Sequence, residues 1–159
     1  AGPRRERPAD AYIDDILLGS GRPTLVVPTG WTEPARLDAV TVAWDGSAAA
    51  ARALADALPL LVRARSVGIV TVQTEAVAGV SESGDRLIRH LARHGIDADY
   101  RATFSSVSVV GHLLDAVAQA GSDLLVMGAY GHSRLREALL GGASRDALRQ
   151  TGVPVLMSH

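Results

Sequence analysis

The chain has 159 residues, 47% of them hydrophobic, which suits one domain with a sheet covered on both faces, or slightly more, and leaves no room for a second complete domain. Its net charge of -1 supplies no field for nucleic acid or an anionic membrane surface, so any bound anion must be held locally. All 16 Lys+Arg residues are arginine and cysteine is absent, which excludes a P-loop lysine, a Schiff base, disulfides, thiolate metal ligands and a cysteine nucleophile.

The chain opens on Arg4-Arg5-Glu6-Arg7, which no apolar signal-peptide core follows, so this start reads as trimmed rather than targeted. Residues 1–36 are expected to form an N-terminal extension, with a helix over 11–18 and a strand over 24–27, ahead of a domain spanning 37–159. From Leu37 onward, short runs rich in valine and isoleucine alternate with alanine- and leucine-rich segments of helical period, the signature of repeated βαβ units.

The first strand of the domain falls at 39–44 and its helix at 48–61, with Ser47 as N-cap. The second strand, 67–72, leads to a helix over 82–94 that stops at Gly95, and the third, 98–103, to a helix over 109–120 that stops at Gly121. The fourth strand is 124–127, followed by a glycine-punctuated loop with a short helical stretch at 135–140 and a last helix at 144–150. Pro154 then leads into the fifth strand, 155–158. Near-continuous apolar strands joined by helices predict a Rossmann-like, doubly wound α/β fold: a five-stranded parallel sheet of order 3-2-1-4-5 with helices on both faces. Apolar runs such as 58–62 and 124–127 fall far short of the ~20 residues needed to cross a bilayer, and a cysteine-free chain suits a reducing compartment, so a soluble, cytoplasmic protein is expected.

The extension is similar to the end of the chain. Setting Pro23 against Pro154 aligns Asp15 with Asp146, Leu17 with Leu148, Gly21 with Gly152 and Leu25 with Leu156, a shift of 131 positions. Any helix-turn-strand ending in Gly-x-Pro would share part of this pattern. If the segment is the tail of a preceding repeat, the strand at 24–27 should lie beside the fifth strand and cover its open edge.

The most informative segment runs from Met127-Gly128-Ala129-Tyr130-Gly131-His132-Ser133 to Leu140-Gly141-Gly142-Ala143-Ser144. Gly128 and Gly131 directly follow a buried strand, where backbone must turn and can approach a ligand closely. Gly141 and Gly142 open the next helix, whose first N–H groups point back to the same crevice, so the pair of turns can cradle an anion without a lysine. Tight turning alone would also call for these glycines. In the expected sheet order, ligands sit where connections reverse between the first and fourth strands, and Asp45 and Gly128 end those two strands. A carboxylate at Asp45 can accept hydrogen bonds from ribose hydroxyls or can cap the helix that follows it.

The stretch Val42-Ala43-Trp44-Asp45-Gly46-Ser47 and the loop from Gly128 to Ser144 resemble the universal stress protein family. The resemblance covers about residues 37–158 and includes its loop motif, G-x2-G-x9-G followed by Ser or Thr. It implies an ATP- or AMP-binding fold, with ADP and a nucleotide-bound Mg2+ in the same range, pairing through the fifth strand as a homodimer or between tandem repeats, and a regulatory role in stress responses rather than an enzymatic one. Slow ATP hydrolysis is left open. Carried over by position, Asp45 would meet the ribose and Val72 would line the adenine pocket, while Gly128, Gly131, Gly141, Gly142 and Ser144 would surround the phosphates. The chain departs from the motif at Gly142, where Ser or Thr is expected. One hydroxyl is lost, worth about 0.5–1.5 kcal/mol, so weaker binding is expected rather than none. A protein-interaction module without nucleotide is the alternative that Gly142 favours. An adenylating enzyme is disfavoured by the absence of lysine and of a Ser-Gly-Gly loop.

Other candidates carry less. His90 and His94 lie four apart on a helix, a chelating spacing with no third ligand in the sequence. His132, Arg134, Arg136 and Arg145 flank the glycine loop, and nothing selects one of them. Trp44, just before Asp45, either packs under the sheet or closes over a base.

Overall fold

In a computed structural model, the chain is described at residues 9–34, 36–73, 80–105, 108–129 and 151–159. The expected helical stretch at 135–140 and helix at 144–150 lie outside the described residues. Among the described residues four helices, α1 (Ala9–Gly19), α2 (Ala48–Leu61), α3 (Val80–Arg93) and α4 (Val109–Gln119), accompany six strands. The strands are β1 (Thr24–Val26), β2 (Ala39–Ala43), β3 (Ser66–Gln73), β4 (Ala98–Phe104), β5 (Leu124–Gly128) and β6 (Val155–Ser158).

All six form one sheet of order β1-β6-β5-β2-β3-β4. The five strands of the 37–159 segment, β2 to β6, are parallel to their neighbours and hold the expected order. The expectation of a five-stranded, wholly parallel sheet is corrected by β1, which adds a sixth strand antiparallel to β6. That strand lies where the extension was expected to go, on the edge of the fifth strand of the domain. An uncovered β6 would present a row of unpaired backbone groups, and β1 satisfies them.

The elements follow from their sequences. α2 is an alanine-leucine segment whose buried side chains, Ala50, Ala53, Leu54, Ala57 and Leu61, recur at three- and four-residue steps. Ser47 caps it, its Oγ accepting from the Ala50 N–H at 3.1 Å. α3 and α4 end where Gly95 and Gly121 take φ of +74° and +58°, a conformation that side chains disfavour. β5 and β6 are buried along almost their whole length, as strands covered on both faces must be.

Two apolar layers flank the sheet. Val40, Val42, Ile69, Val126 and Leu156 pack with α2 and α3 on one face. Ala43, Val70, Leu125, Met127 and Met157 pack with α4 on the other, joined there by Leu17 of α1. The extension is therefore built into the second layer, with Leu17 only 3% exposed. At the amino ends of the strands, Asp123 accepts from the N–H groups of Asp38 and Ala39 at 2.8 and 3.3 Å, tying the start of β2 to the start of β5. Among the described residues no helix is long and apolar enough to cross a membrane.

Candidate functional site

β2 and β5 are parallel neighbours whose following connections run in opposite directions, β2 toward β3 and β5 toward β6. The crevice beyond their carboxyl ends is the position where doubly wound sheets bind ligands. Past β2 the chain turns through Trp44, Asp45 and Gly46, the last with φ of +75°, and enters α2 at Ser47.

Asp45 is exposed, and its Oδ1 accepts from the Ser47 N–H at 2.9 Å. The carboxylate thus closes a turn ahead of α2 and does not cap the helix, a task that Ser47 carries out. A carboxylate offers roughly four acceptor sites, so this one bond leaves capacity for hydroxyl donors. Continuing the β2–β3 register, in which Ala43 stands beside Val70, puts Asp45 level with Val72. Val72 is half-buried against the α4 layer. The residues expected at ribose and base are therefore on adjacent strand ends.

Gly128 ends β5 opposite Ser158 of β6. It is pressed onto the first turn of α2: a Cβ there would stand 2.5 Å from the Ala50 nitrogen and 2.6 Å from the Ala49 carbonyl carbon. No side chain fits, and the end of β5 meets the start of α2 because of it. The next residue, Ala129, is buried and donates its N–H to the Ser158 carbonyl at 2.7 Å. Asp45, Val72 and Gly128 are thus gathered at one end of the sheet. Gly131, Gly141, Gly142 and Ser144, with His132, Arg134, Arg136 and Arg145, lie outside the described residues.

Trp44 takes the packing alternative. Its ring lies against the α2–α3 layer and its indole N–H donates to Ser83 Oγ at 3.2 Å. The residue belongs to a chain of bonds that sequence reading missed: Tyr100 Oη donates to Thr71 Oγ1 at 3.2 Å, and Thr71 Oγ1 donates to the Trp44 carbonyl at 2.7 Å. Gly84 of α3 lies flat on the Tyr100 ring, where any Cβ would overlap it. A glycine inside a helix was the available signal. Also missed is Gln73, at the end of β3 beside Val72 in sequence, whose buried Nε2 has no hydrogen-bond partner among the described residues.

His90 on α3 and His94, one residue past its end, are exposed and meet edge to face, ring centroids 4.9 Å apart. Among the described residues no group of three His, Cys, Asp or Glu side chains could hold a metal ion.

The comparisons with known proteins agree with this geometry. The model of the universal stress protein family matches residues 37–159. A universal stress protein of Synechocystis sp. is 30% identical across 92% of this chain and 50% of its own length. A universal stress protein from Archaeoglobus fulgidus superposes with a TM-score of 0.68 at 21% identity, over 92% of this chain and 56% of that one. A universal stress protein solved in complex with cAMP gives 0.62 at 25% identity, over 77% of this chain and 97% of that one. The chain thus spans about half the length of the Synechocystis relative and of the Archaeoglobus structure. With its 37–159 segment matched throughout and its parallel strands in the expected order, the chain belongs to the universal stress protein family.

Proposed function

We propose that this chain binds an adenine nucleotide, ATP or else ADP or AMP, with Mg2+ accompanying the phosphates, and serves as a cytoplasmic stress-response regulator rather than an enzyme. The observation that carries the reading is the convergence of Asp45, Val72 and Gly128 at the point where the sheet's connections reverse. A relative of the same family solved with cAMP supports the adenine-nucleotide class. In this reading Asp45 accepts from the ribose hydroxyls, Val72 lines the base pocket, and the backbone from Gly128 through Gly131 to Gly141, Gly142 and Ser144 surrounds the phosphates. Its partner is a second universal-stress-type unit, in a homodimer or a tandem repeat, and pairing through the last strand requires that unit to replace β1, which holds the β6 edge in this chain.

The test is calorimetric titration of the purified chain with ATP, AMP and cAMP. Saturable binding of at least one nucleotide at up to millimolar concentration is the expected result. A folded chain that gives no heat with any of the three sinks the reading. It would leave the interaction-module alternative, which the Asp45 bond to the Ser47 N–H favours because the carboxylate already has a structural task.

A further inference from the structure

β2 and β3 diverge at the crevice, and a side chain joins them there. Their register ends where Ala43 stands beside Val70, and the Trp44 N–H donates to the Val70 carbonyl at 2.9 Å. The next group along the chain, the Trp44 carbonyl, accepts from the hydroxyl of Thr71 at 2.7 Å. Thr71 is constrained in turn: Tyr100 Oη donates to its oxygen at 3.2 Å, and a hydroxyl carries one proton, which therefore goes to Trp44.

The Trp44 carbonyl and the Asp45 N–H belong to one planar peptide unit, so a bond that holds the first fixes the plane from which the Asp45 side chain departs. Thr71 is 8% exposed, and water has little access to compete for that bond. The support on the other side of Asp45 is thinner. Its bond from the Ser47 N–H is exposed, and Gly46 between them is the most pliable of residues. The indole bond to Ser83 holds the Trp44 side chain and leaves this peptide plane to Thr71.

We propose that Thr71 is a positioning residue of the nucleotide site: through the Trp44 carbonyl it sets the place of the Asp45 carboxylate, without itself touching the ligand. The assignment rests on Asp45 serving the ribose as proposed above. Thr71 stands between Val70 and Val72, both packed toward α4, so strand alternation turns its side chain to the opposite face of the sheet from Val72. Its influence on a ligand beside Asp45 and Val72 must then pass through the backbone. Supports of this kind decide whether a binding group stands where it is needed.

Three variants test the assignment. Thr71→Val keeps the shape and removes the hydroxyl, Thr71→Ser keeps the hydroxyl, and Tyr100→Phe removes the outer bond while sparing the one to Trp44. Two measurements are made on each: the amide resonances of Asp45, Gly46 and Ser47 without nucleotide, and ATP affinity by calorimetry. In Thr71→Val the three amides are expected to broaden or split, and ATP to bind roughly tenfold more weakly. Thr71→Ser should restore both, and Tyr100→Phe should lower the urea midpoint while moving neither. In an Asp45→Ala background, Thr71→Val should cause no further loss of affinity, because no carboxylate remains to be placed. Unchanged amides or unchanged ATP affinity in a folded Thr71→Val overturn the proposal, as does a loss that serine fails to restore or that persists in full beside Asp45→Ala. If the unaltered chain gives no heat with ATP, the nucleotide reading fails by itself, and the amide resonances alone decide whether Thr71 sets Asp45. If Thr71→Val does not fold, Thr71→Cys replaces it in both measurements, a thiol of similar size being only a weak donor.

Discussion

Gly128 meets Ala50 backbone to backbone: a Cβ on the glycine would lie 2.5 Å from the alanine nitrogen, and neither partner is the end of a flexible side chain. The contact joins the carboxyl end of β5 to the first turn of α2, so a substitution there must push a strand and a helix apart. Gly128→Ala should destabilise the chain by about 1–3 kcal/mol, the usual range for overpacking. Gly68→Ala in β3 is the control, because a Cβ there meets nothing within 4 Å. It should be neutral or add about 0.5–1 kcal/mol, since glycine weakens a strand relative to alanine. Urea midpoints of the two variants check the difference in sign.

The two roles of Asp45 can be separated by pairing it with Ser47. Ser47→Ala removes the hydroxyl that accepts from the Ala50 N–H, and should lower stability by about 1 kcal/mol while sparing nucleotide affinity. Asp45→Asn keeps an oxygen for the Ser47 N–H and so should leave the urea midpoint nearly unchanged. As a ribose acceptor Asp45 would contribute a charge-assisted bond of about 1.5–3 kcal/mol. Asp45→Ala should then weaken ATP binding roughly tenfold to a hundredfold by calorimetry. Equal affinities for Asp45→Ala and the unaltered chain would confine Asp45 to capping the loop.

Much of this framework is legible in the residues. β6 lies at the expected bounds and the remaining strands within a residue or two; for β2, β5 and β6 the reason is that a strand buried on both faces is a nearly unbroken apolar run that few other structures need. Gly95 and Gly121 announced the ends of α3 and α4 by the backbone conformation only glycine adopts freely. The edge position of β1 followed from its likeness to β6. What could not be read depends on partners distant in sequence. Gly84 is required by Tyr100 on another element, and the burial of the Gln73 amide nitrogen, without a partner among the described residues, is a property of the folded chain rather than of its sequence. Trp44 lay between: residues 40, 42 and 44 share one face of a strand, and that alternation, rather than side-chain size, put the indole under α3.

Gly84 inverts an ordinary rule. In an exposed helix, glycine to alanine gains about 1 kcal/mol. Here the new methyl would overlap the Tyr100 ring, which its hydroxyl bond to Thr71 helps to hold in place. Gly84→Ala should therefore destabilise the chain. Combined with Tyr100→Leu, which removes the ring, the same substitution should become neutral or stabilising. A double-mutant cycle by urea unfolding checks this, and additive effects would mean that the helix simply shifts away from the ring.

Gln73 offers the most direct check on burial at the crevice. Its Nε2 is out of contact with water and has no acceptor among the described residues, a state that carries a desolvation penalty of about 1–3 kcal/mol. Gln73→Leu has nearly the same size and discards the unsatisfied group, so it should raise the urea midpoint, by about 1 kcal/mol after the smaller side chain's lost contacts are deducted. Gln73→Glu should do the reverse, because a carboxylate in the same place would be buried without a partner. If the two variants are equally stable, water reaches the end of β3 and the amide is solvated. Repeating the leucine comparison with ATP present separates packing from recognition. An amide that meets the ligand would make Gln73→Leu bind more weakly even as it unfolds later, whereas an amide that only fills space would leave the affinity unchanged.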